Sequence, residues 1–543
     1  MSGHDLNTDE LPWLREGLKS IELYRNDDTK DIYAQPYAPH PHFTGAILGA
    51  WMFTHFGDRN DPHALMWMHQ NFSSQSPLFD DALSGSLNPL TAFRLHAAIA
   101  GVGTVVIIFL LLAVHYDLIA AFFAALLLAV DPFHIAISRL GNGDALLMFF
   151  LVATFASYLH GEFISSVRWK IIASVCFGLA LLTKMIVASV FAVGIIFLWK
   201  LGCHFLSIPT HKRIEYAPNR EKKKHNQKET VWWKKPVLFN ITSIDFGVFI
   251  GGYIFMALVF PPLWGNPIEG YSKFTQSSLS AATGISKDFF FGKAWAQTPP
   301  YYLLMVLPTR MTEVLILAMC IGLTSILKKM ISSRNETSIE LFTLILFLII
   351  FGVFSFQTNH RDRYAITLWF SFVVWGGIGI RVTIDWLMKK ANGKISQRTL
   401  LGVIAATLLS IGVWVSLRYA PRYYLYYNDT FGGPAKAASL VEVGWGEGVH
   451  DCVRYIREQY GNTHPIAVLY WQVAQYYYGA NFRLCGWKSF DNNNWKFFDF
   501  IILQKNYVQR EPQSAVVQFC KQKQPLFTAR YNNVDFAWVY SVK

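Results

Sequence analysis

A largely apolar chain carries ionisable side chains at a few places where it has little use for them. Asp9 and Glu10 stand beside each other, and His40 and His42 flank Pro41. Asp131 and His134 end one apolar run, and Arg139 and Asp144 sit near the two ends of the short turn that follows. Lys184 interrupts a second run, and His360, Arg361, Asp362 and Arg363 crowd the turn before Tyr364. Ionisable groups at membrane depth are costly, and therefore informative. Cations gathered in one place suit a phosphate leaving group, because they stabilise the negative charge that grows on it as a bond breaks. A carboxylate on the opposite side of the reacting carbon can take the proton of an incoming hydroxyl. Inverting transfer at a sugar carbon requires those two functions on opposite faces.

Each residue also has a plainer role. Arg139 and Asp144 can pair across the turn, or Asp144 can cap the next helix. Lys184 can snorkel to lipid headgroups, and the 360–363 cluster can anchor to them. Asp9 and Glu10 fit the acidic start of a helix whose apolar stripe is Leu11, Leu14 and Leu18. His40 to His42 reads as a turn, or as part of a metal site with an acid.

The elements that must position these residues are membrane spans. Of 543 residues 52% are hydrophobic and only 15% charged, against about 25% charged in soluble domains. Apolar windows of spanning character fall at Ala92–Val114, Leu118–Ile137, Ala145–Leu159, Ile171–Thr183, Met185–Leu201, Phe246–Leu263, Tyr301–Leu327, Leu341–Phe356, Tyr364–Leu387 and Leu400–Leu417. The stretch 171–201 would run roughly 45 Å as one straight helix, against a hydrocarbon core of about 30 Å. Two short spans meeting at Lys184 are therefore expected. The net charge of +12 does not point to nucleic acid, because the basic residues concentrate in loops. Cys203–Phe239 holds nine Lys/Arg, Lys328–Glu340 three and Met388–Thr399 four. All three loops fall on one side of a ten-span chain, and the positive-inside tendency makes that side cytoplasmic. The site residues then share the non-cytoplasmic side.

The expected organisation is a loop region over 1–89 with interfacial helices, including one near Phe43–Phe56. A transmembrane bundle over 90–418 carries the basic loop 203–239. A small α/β domain over 419–543 has strands near Ile466–Trp471, Phe482–Trp487, Phe500–Leu503 and Ala537–Val542 and helices near Glu447–Gln459 and Pro512–Gln522. Six cysteines show no metal-binding spacing. Among Cys452, Cys485 and Cys520, one disulfide plus one free thiol is an open arrangement.

The ordered motifs Asp9-Glu10 with Trp13, His40-Pro41, Ser138-Arg139 with Asp144-Ala145-Leu146, Leu182-Thr183-Lys184 and Arg363-Tyr364 resemble those of the glycosyltransferase C superfamily. The branch they resemble contains the dolichyl-phosphate-mannose protein mannosyltransferases and the lipid A aminoarabinose transferases. The most distinctive stretch is Tyr423-Tyr424-Leu425-Tyr426-Tyr427-Asn428 through Gly432-Gly433 to Gly444-Trp445-Gly446-Glu447-Gly448.

The resemblance implies a membrane glycosyltransferase that moves a sugar from a polyprenyl-phosphate donor to a protein, glycan or lipid acceptor with inversion. It implies Asp9 as the base or acceptor-orienting carboxylate and Glu10 as its neighbour in acceptor binding. Arg139, Lys184, Arg363 and, more weakly, Arg361 become donor-phosphate contacts, with His40, His42 and Asp144 in the acceptor and loop region. No cofactor beyond the donor lipid is required, although some members use a divalent metal. Membrane lipids, the donor and the acceptor are the partners, and nucleic acid is not one. The plasma (inner) membrane is favoured over the endoplasmic reticulum. Family members carry a span ahead of the acidic pair, and an added one would make eleven. His42 stands where a Pro or Gly is more usual. The competing readings are a transporter or flippase of lipid-linked glycans, which should line a midplane path with charge, and a glycan polymerase.

Overall fold

The computed structural model describes residues 10–25, 43–71, 84–206, 243–260, 263–264, 268–272, 275–276, 287–332, 338–356, 361–478, 484–485, 490 and 493–543. Asp9, His40, His42 and His360 lie outside these, as does most of the 203–239 loop. The chain is a polytopic helical membrane protein with a small α/β unit at its C-terminal end. Among the described residues seven helices are long and apolar enough to cross a membrane: Pro89–His115, Gly143–Phe163, Val187–Phe205, Glu313–Ser332, Ser338–Phe356, Asp362–Ala391 and Gln397–Tyr419.

Two windows read as straight spans are broken instead. The first divides into Leu118–Ala129 and Pro132–Ser138, bent by 63°. Asp131 caps the second piece through the His134 amide (2.8 Å), and Pro132 opens it; both are helix-start chemistry. The second divides into Tyr302–Arg310 and Glu313–Ser332, with Pro308 inside the first piece, where it leaves a carbonyl one turn back without its amide partner. Ser243–Val259 forms a shorter apolar helix.

The segment Val167–Phe205 folds back on itself at Lys184, whose φ of −152° and ψ of 87° leave the helical region. The hairpin is fixed at its open end by four charges. Lys170 Nζ meets Glu162 Oε2 at 2.7 Å and Asp245 Oδ1 at 2.8 Å; Lys200 Nζ meets Glu162 Oε1 at 2.9 Å and Asp245 Oδ2 at 2.7 Å. The Tyr158 hydroxyl donates to Asp245 Oδ1 at 2.8 Å. In a straight helix Lys170 and Lys200 would lie roughly 45 Å apart, so two shared carboxylates require antiparallel arms.

The neighbouring helix Gly143–Phe163, about 30 Å long, measures the bundle. Glu162 at its end joins this four-charge cage, while Asp144 at its start pairs with Lys184 at the hairpin tip. Two ends of the bundle follow. The cage end also holds the His115–His160 contact (2.6 Å), Lys329–Glu340 (3.1 Å) and Arg381–Asp117 (3.3 Å). The opposite end, called the mouth below, holds Glu10, Arg139, Asp144, Lys184 and Arg363.

The helices Glu10–Arg25, Phe43–Phe56 and Pro62–Asn71 pack over the mouth. Their Leu11, Leu14, Leu18, Phe53 and Trp67 share a core with Val449, Val453 and Ile456 of the C-terminal unit. That unit is built on strands β3 Ile466–Val468, β4 Leu484–Cys485, β5 Phe500–Gln504, β6 Phe527–Tyr531 and β7 Val534–Ser541; a separate hairpin pairs β1 Asp288–Phe290 with β2 Lys293–Trp295. The sheet order is β4-β3-β5-β7-β6, with β3 parallel to β4 and β5 and the rest antiparallel. Strand alternation puts Ile466, Val468, Phe500 and Ile502 on the shared core, and Ala467, Ile501, Leu503 and Tyr540 on a second one. Cys452 and Cys520 carry free thiols and belong to opposite cores. Neither forms a disulfide.

Removing one carboxylate of a buried ion cluster leaves its cations underpaired and costs about 3 kcal/mol. Asp245→Asn is therefore expected to lower the detergent melting transition by several degrees. A transition equal to that of the unsubstituted protein would remove the cage from the account of the hairpin.

Candidate active site at the bundle mouth

Glu10 is fully buried at the first position of its helix. Arg94 Nε–H donates to its Oε1 at 2.6 Å and Nη2–H to its Oε2 at 2.7 Å. The amide of Gly141 donates to Oε1 at 2.7 Å. Glu10 thus ties the N-terminal helix to the helix Pro89–His115 and to the loop that carries Arg139.

Asn142 accepts from the Asp144 amide at 3.1 Å and caps the helix Gly143–Phe163. The side chain of Asp144, almost wholly buried, is left to Lys184, with which it forms a close ion pair, and to Arg363, whose Nε stands 3.7 Å from Oδ2. The plain expectations for Arg139 and Asp144 do not hold: Asp144 neither caps the helix nor pairs with Arg139. Lys184 Nζ lies 4.3 Å from the centroid of the Tyr364 ring, and the Arg363 guanidinium lies 3.5 Å from that of Trp445.

Arg139 donates to the Pro421 carbonyl at 3.0 Å and stacks 4.8 Å from the Tyr423 centroid. It forms no ion pair among the described residues. Burial pushes its pKa down, the Tyr423 oxygen opposes this, and the nearby Arg94 charge adds to it. A guanidinium in that setting favours any anion that reaches it.

Arg361 pairs with Glu442 Oε2 (2.8 Å) and Asp288 Oδ1 (3.5 Å), and Arg510 completes the set on Glu442 Oε1 (2.9 Å). Burial works against the charge on Arg361, but the Glu442 and Asp288 carboxylates outweigh it and hold its pKa well above the ordinary value. This network ties the turn before Tyr364 to the β1–β2 hairpin and the C-terminal unit.

Arg310, unmarked by the motif reading, is the centre of a further latch. Its Nε and Nη2 meet Asp362 Oδ2 at 2.7 and 2.6 Å, and its Nη1–H donates to the carbonyls of Tyr424 (2.7 Å) and Tyr426 (2.9 Å). The ring of Tyr427 lies 3.8 Å from the guanidinium. The Tyr424 hydroxyl donates to Asp362 Oδ1 at 2.8 Å; burial first, then the Asp362 charge, holds that phenol well above its ordinary pKa, so it remains a donor. The Asn428 side-chain amide donates to the Met311 carbonyl at 2.7 Å, inside the break between the two helices. The Tyr-rich motif is thus a strap across a broken span. An arginine within an apolar window was the signal that could have found it. Asp131, too, is a capping and latching group, accepting from Trp369 Nε1–H at 2.9 Å.

Among the described residues no group of three or more His, Cys, Asp or Glu side chains lies placed to hold a metal ion.

The fold and this site together define a polytopic helical membrane protein with a cation-rich mouth roofed by a mixed α/β unit. Residues 79–253 match the model of the dolichyl-phosphate-mannose-protein mannosyltransferase family, a stretch that holds Arg94, Arg139, Asp144 and Lys184. Among solved structures, apo ArnT from Cupriavidus metallidurans is similar over 83% of this chain and 84% of its own, at 12% identity and a TM-score of 0.42. ArnT bound to undecaprenyl phosphate is similar over 82% and 83%, again at 12% identity and 0.42. The apo oligosaccharyltransferase of Archaeoglobus fulgidus is similar over 98% of this chain and 71% of its own, at 13% identity and 0.48. No curated protein sequence matches the chain.

Arg310→Lys keeps the charge but loses the fork that grips two carbonyls and a carboxylate. The strap is expected to loosen, with faster proteolytic cleavage within 420–432 and a loss of about 3 kcal/mol in stability. Cleavage at the unsubstituted rate would contradict the latch.

Proposed function

We propose that the chain is a membrane glycosyltransferase that takes a sugar from a polyprenyl-phosphate lipid at the bundle mouth. The acceptor is a protein hydroxyl, a lipid-linked glycan or a cell-envelope glycolipid, and the family match over residues 79–253 favours a mannosyl donor and a protein acceptor. The observation that carries the reading is Arg139. It is a half-buried guanidinium with no carboxylate among the described residues, in the same mouth where Lys184 and Arg363 share Asp144. Among the described residues the cage sets two lysines against two carboxylates, and Arg361 with Arg510 faces Asp288 with Glu442.

A site with surplus positive charge fits a leaving group whose negative charge increases. As the bond between the sugar C1 and the phosphate oxygen breaks, its electron pair stays on that oxygen, and Arg139, Lys184 and Arg363 stabilise it. The acceptor oxygen attacks C1 from the opposite side, and its proton passes to a carboxylate. Asp9 is the residue assigned to that step, with Glu10 as the buried anchor behind it. Arg361 is left out of the donor set because its charge is already matched.

The mouth faces away from the cytoplasm in this reading, in a plasma (inner) membrane, because the basic loops join helices at the cage end. Among the described residues the membrane-embedded charges support an enzyme over a transporter: they cluster toward the two ends rather than along a path across the midplane.

With a radiolabelled polyprenyl-phosphate sugar and the purified protein in nanodiscs, Arg139→Gln and Lys184→Met are each expected to cut turnover by about 100-fold or more. Asp9→Asn should do the same with the melting transition kept. Undiminished turnover in the Arg139 and Lys184 variants would end this reading of the site. Topology reporters inserted within 207–242 and after Lys543 should report opposite sides of the membrane; the same side would overturn the orientation.

A further inference from the structure

The hairpin β1–β2 turns through two residues. Phe290 pairs with Lys293, and Phe291 and Gly292 between them have φ of +47° and +75°. A turn with both φ values positive is ordinarily built from Asn-Gly or Asp-Gly, and a bulky side chain there is an outlier. Packing does not offset the strain, because the Phe291 ring is half exposed. Trp295 on the second strand is exposed as well, yet its Nε1–H already donates to the Phe290 carbonyl at 2.8 Å. With that donor satisfied, the surface the indole shows is apolar.

The hairpin stands where the spans emerge. At its base Lys287 pairs with Glu511 of the C-terminal unit (2.7 Å), and Asp288 pairs with Arg361 (3.5 Å) in the turn that opens the helix Asp362–Ala391. The Phe291 amide donates to the Leu440 carbonyl at 2.6 Å. Phe290 is buried in one core with Tyr302, Leu303 and Val306 of the bundle. Its ring centroid lies 4.5 Å from that of Phe291 and 6.0 Å from that of Tyr301. Tyr301 is exposed, and so are Leu304 and Met305 on the short helix that follows it. One apolar rim therefore continues from the outer side of that helix onto the hairpin. Lys293 and Trp295 lie two residues apart and share a face of β2, so an exposed lysine accompanies the indole. Aromatic rings with a cation among them suit the headgroup layer of a bilayer. Lysine is depleted where one protein surface docks on another.

We propose that the β1–β2 hairpin is a membrane foot: Phe291 and Trp295 enter the headgroup layer of the leaflet at the mouth end, with Lys293 at the lipid phosphates. Lipid contact makes phenylalanine the better occupant of a turn position whose backbone suits asparagine. Through Lys287 and Asp288 the foot also bears the C-terminal unit and sets its height over the mouth. The foot serves any protein that these spans seat in a bilayer, so it stands apart from the donor-site reading.

The test places one trifluoromethyl-phenylalanine in the full chain, in place of Phe291, Trp295, Leu110 or Glu458, in nanodiscs that contain anionic lipid. Leu110 is exposed within a span and Glu458 is exposed on the C-terminal unit, so they serve as lipid and water references. Fluorine relaxation by dissolved oxygen, which concentrates in lipid, is compared with relaxation by a nickel chelate, which stays in water. The oxygen-to-nickel ratio at Phe291 and Trp295 is expected to exceed that at Glu458 by about five-fold or more and to fall short of that at Leu110, as the headgroup layer requires. Phe291→Asn keeps the turn and removes the anchor, and should bring the ratio at Trp295 to within about two-fold of the Glu458 value.

Ratios at Phe291 and Trp295 equal to that at Glu458 put the hairpin in water and overturn the proposal. Weak relaxation by both agents means that a protein surface, such as a second copy of the chain, covers the rings, and overturns it too. An unchanged ratio at Trp295 in Phe291→Asn removes the anchor from the account, and the foot with it.

Discussion

Glu162 and Asp245 each bridge Lys170 and Lys200, and the rest of the bundle depends on that exchange. An isolated charge among apolar helices is unaffordable, but two lysines and two carboxylates that bridge one another offset their charges. Closing the cage forces the 167–205 segment into two antiparallel arms. It therefore dictates where the tip lies, about 30 Å away along the helix Gly143–Phe163. Lys184 faces Asp144 because Lys170 and Lys200 face Glu162. The tip is positioned by chemistry at the far end of the molecule.

The two ends use charge in opposite ways. At the cage end the tally closes, and the side chains hold each other. At the mouth the protein spends most of its ion pairs on construction: Arg94 on Glu10, Arg310 on Asp362, Arg361 and Arg510 on Glu442. Each pair splices elements distant in sequence, and each removes its charge from the account. Asp144 stands between Lys184 and Arg363, and Arg139 is backed by a tyrosine ring and a carbonyl. Aromatic rings recur beside these cations because a ring can orient a guanidinium or ammonium without neutralising it. A carboxylate in the same place would orient it better and disarm it.

The sequence showed local conflicts well and remote matches poorly. The break at Lys184 was legible because a run of that length cannot cross a bilayer straight, and the positions of Asp144 and Arg363 followed from counting spans. The bend at Asp131-Pro132 carried a readable helix-start signal, yet average hydropathy over Leu118–Ile137 hid it. Arg310 was hidden in the same way inside Tyr301–Leu327. Arg361 was indistinguishable from Arg363, since both sit in one turn with the same composition. Their difference lies in Asp288 and Glu442, some eighty residues away on either side, and no local pattern encodes that. Strand β6 escaped because its Phe527–Tyr531 run buries only Ala529 fully, too little alternation to mark an edge strand.

The Tyr-rich strap and the glycine turn explain why a motif so far from the span residues belongs to the same site. Tyr424 and Tyr426 give carbonyls to Arg310, Tyr423 gives its ring to Arg139, and Trp445 gives its ring to Arg363. Alternate roles along one strap let a single segment both close a broken span and dress two of the mouth's cations. The backbone does the first task and the rings do the second. Substitution of a ring can therefore alter the mouth without opening the bundle, whereas loss of Arg310 removes the carbonyls' partner and with it the frame on which those rings are mounted. The cation-rich mouth is the outward product of that division of labour between main chain and side chain.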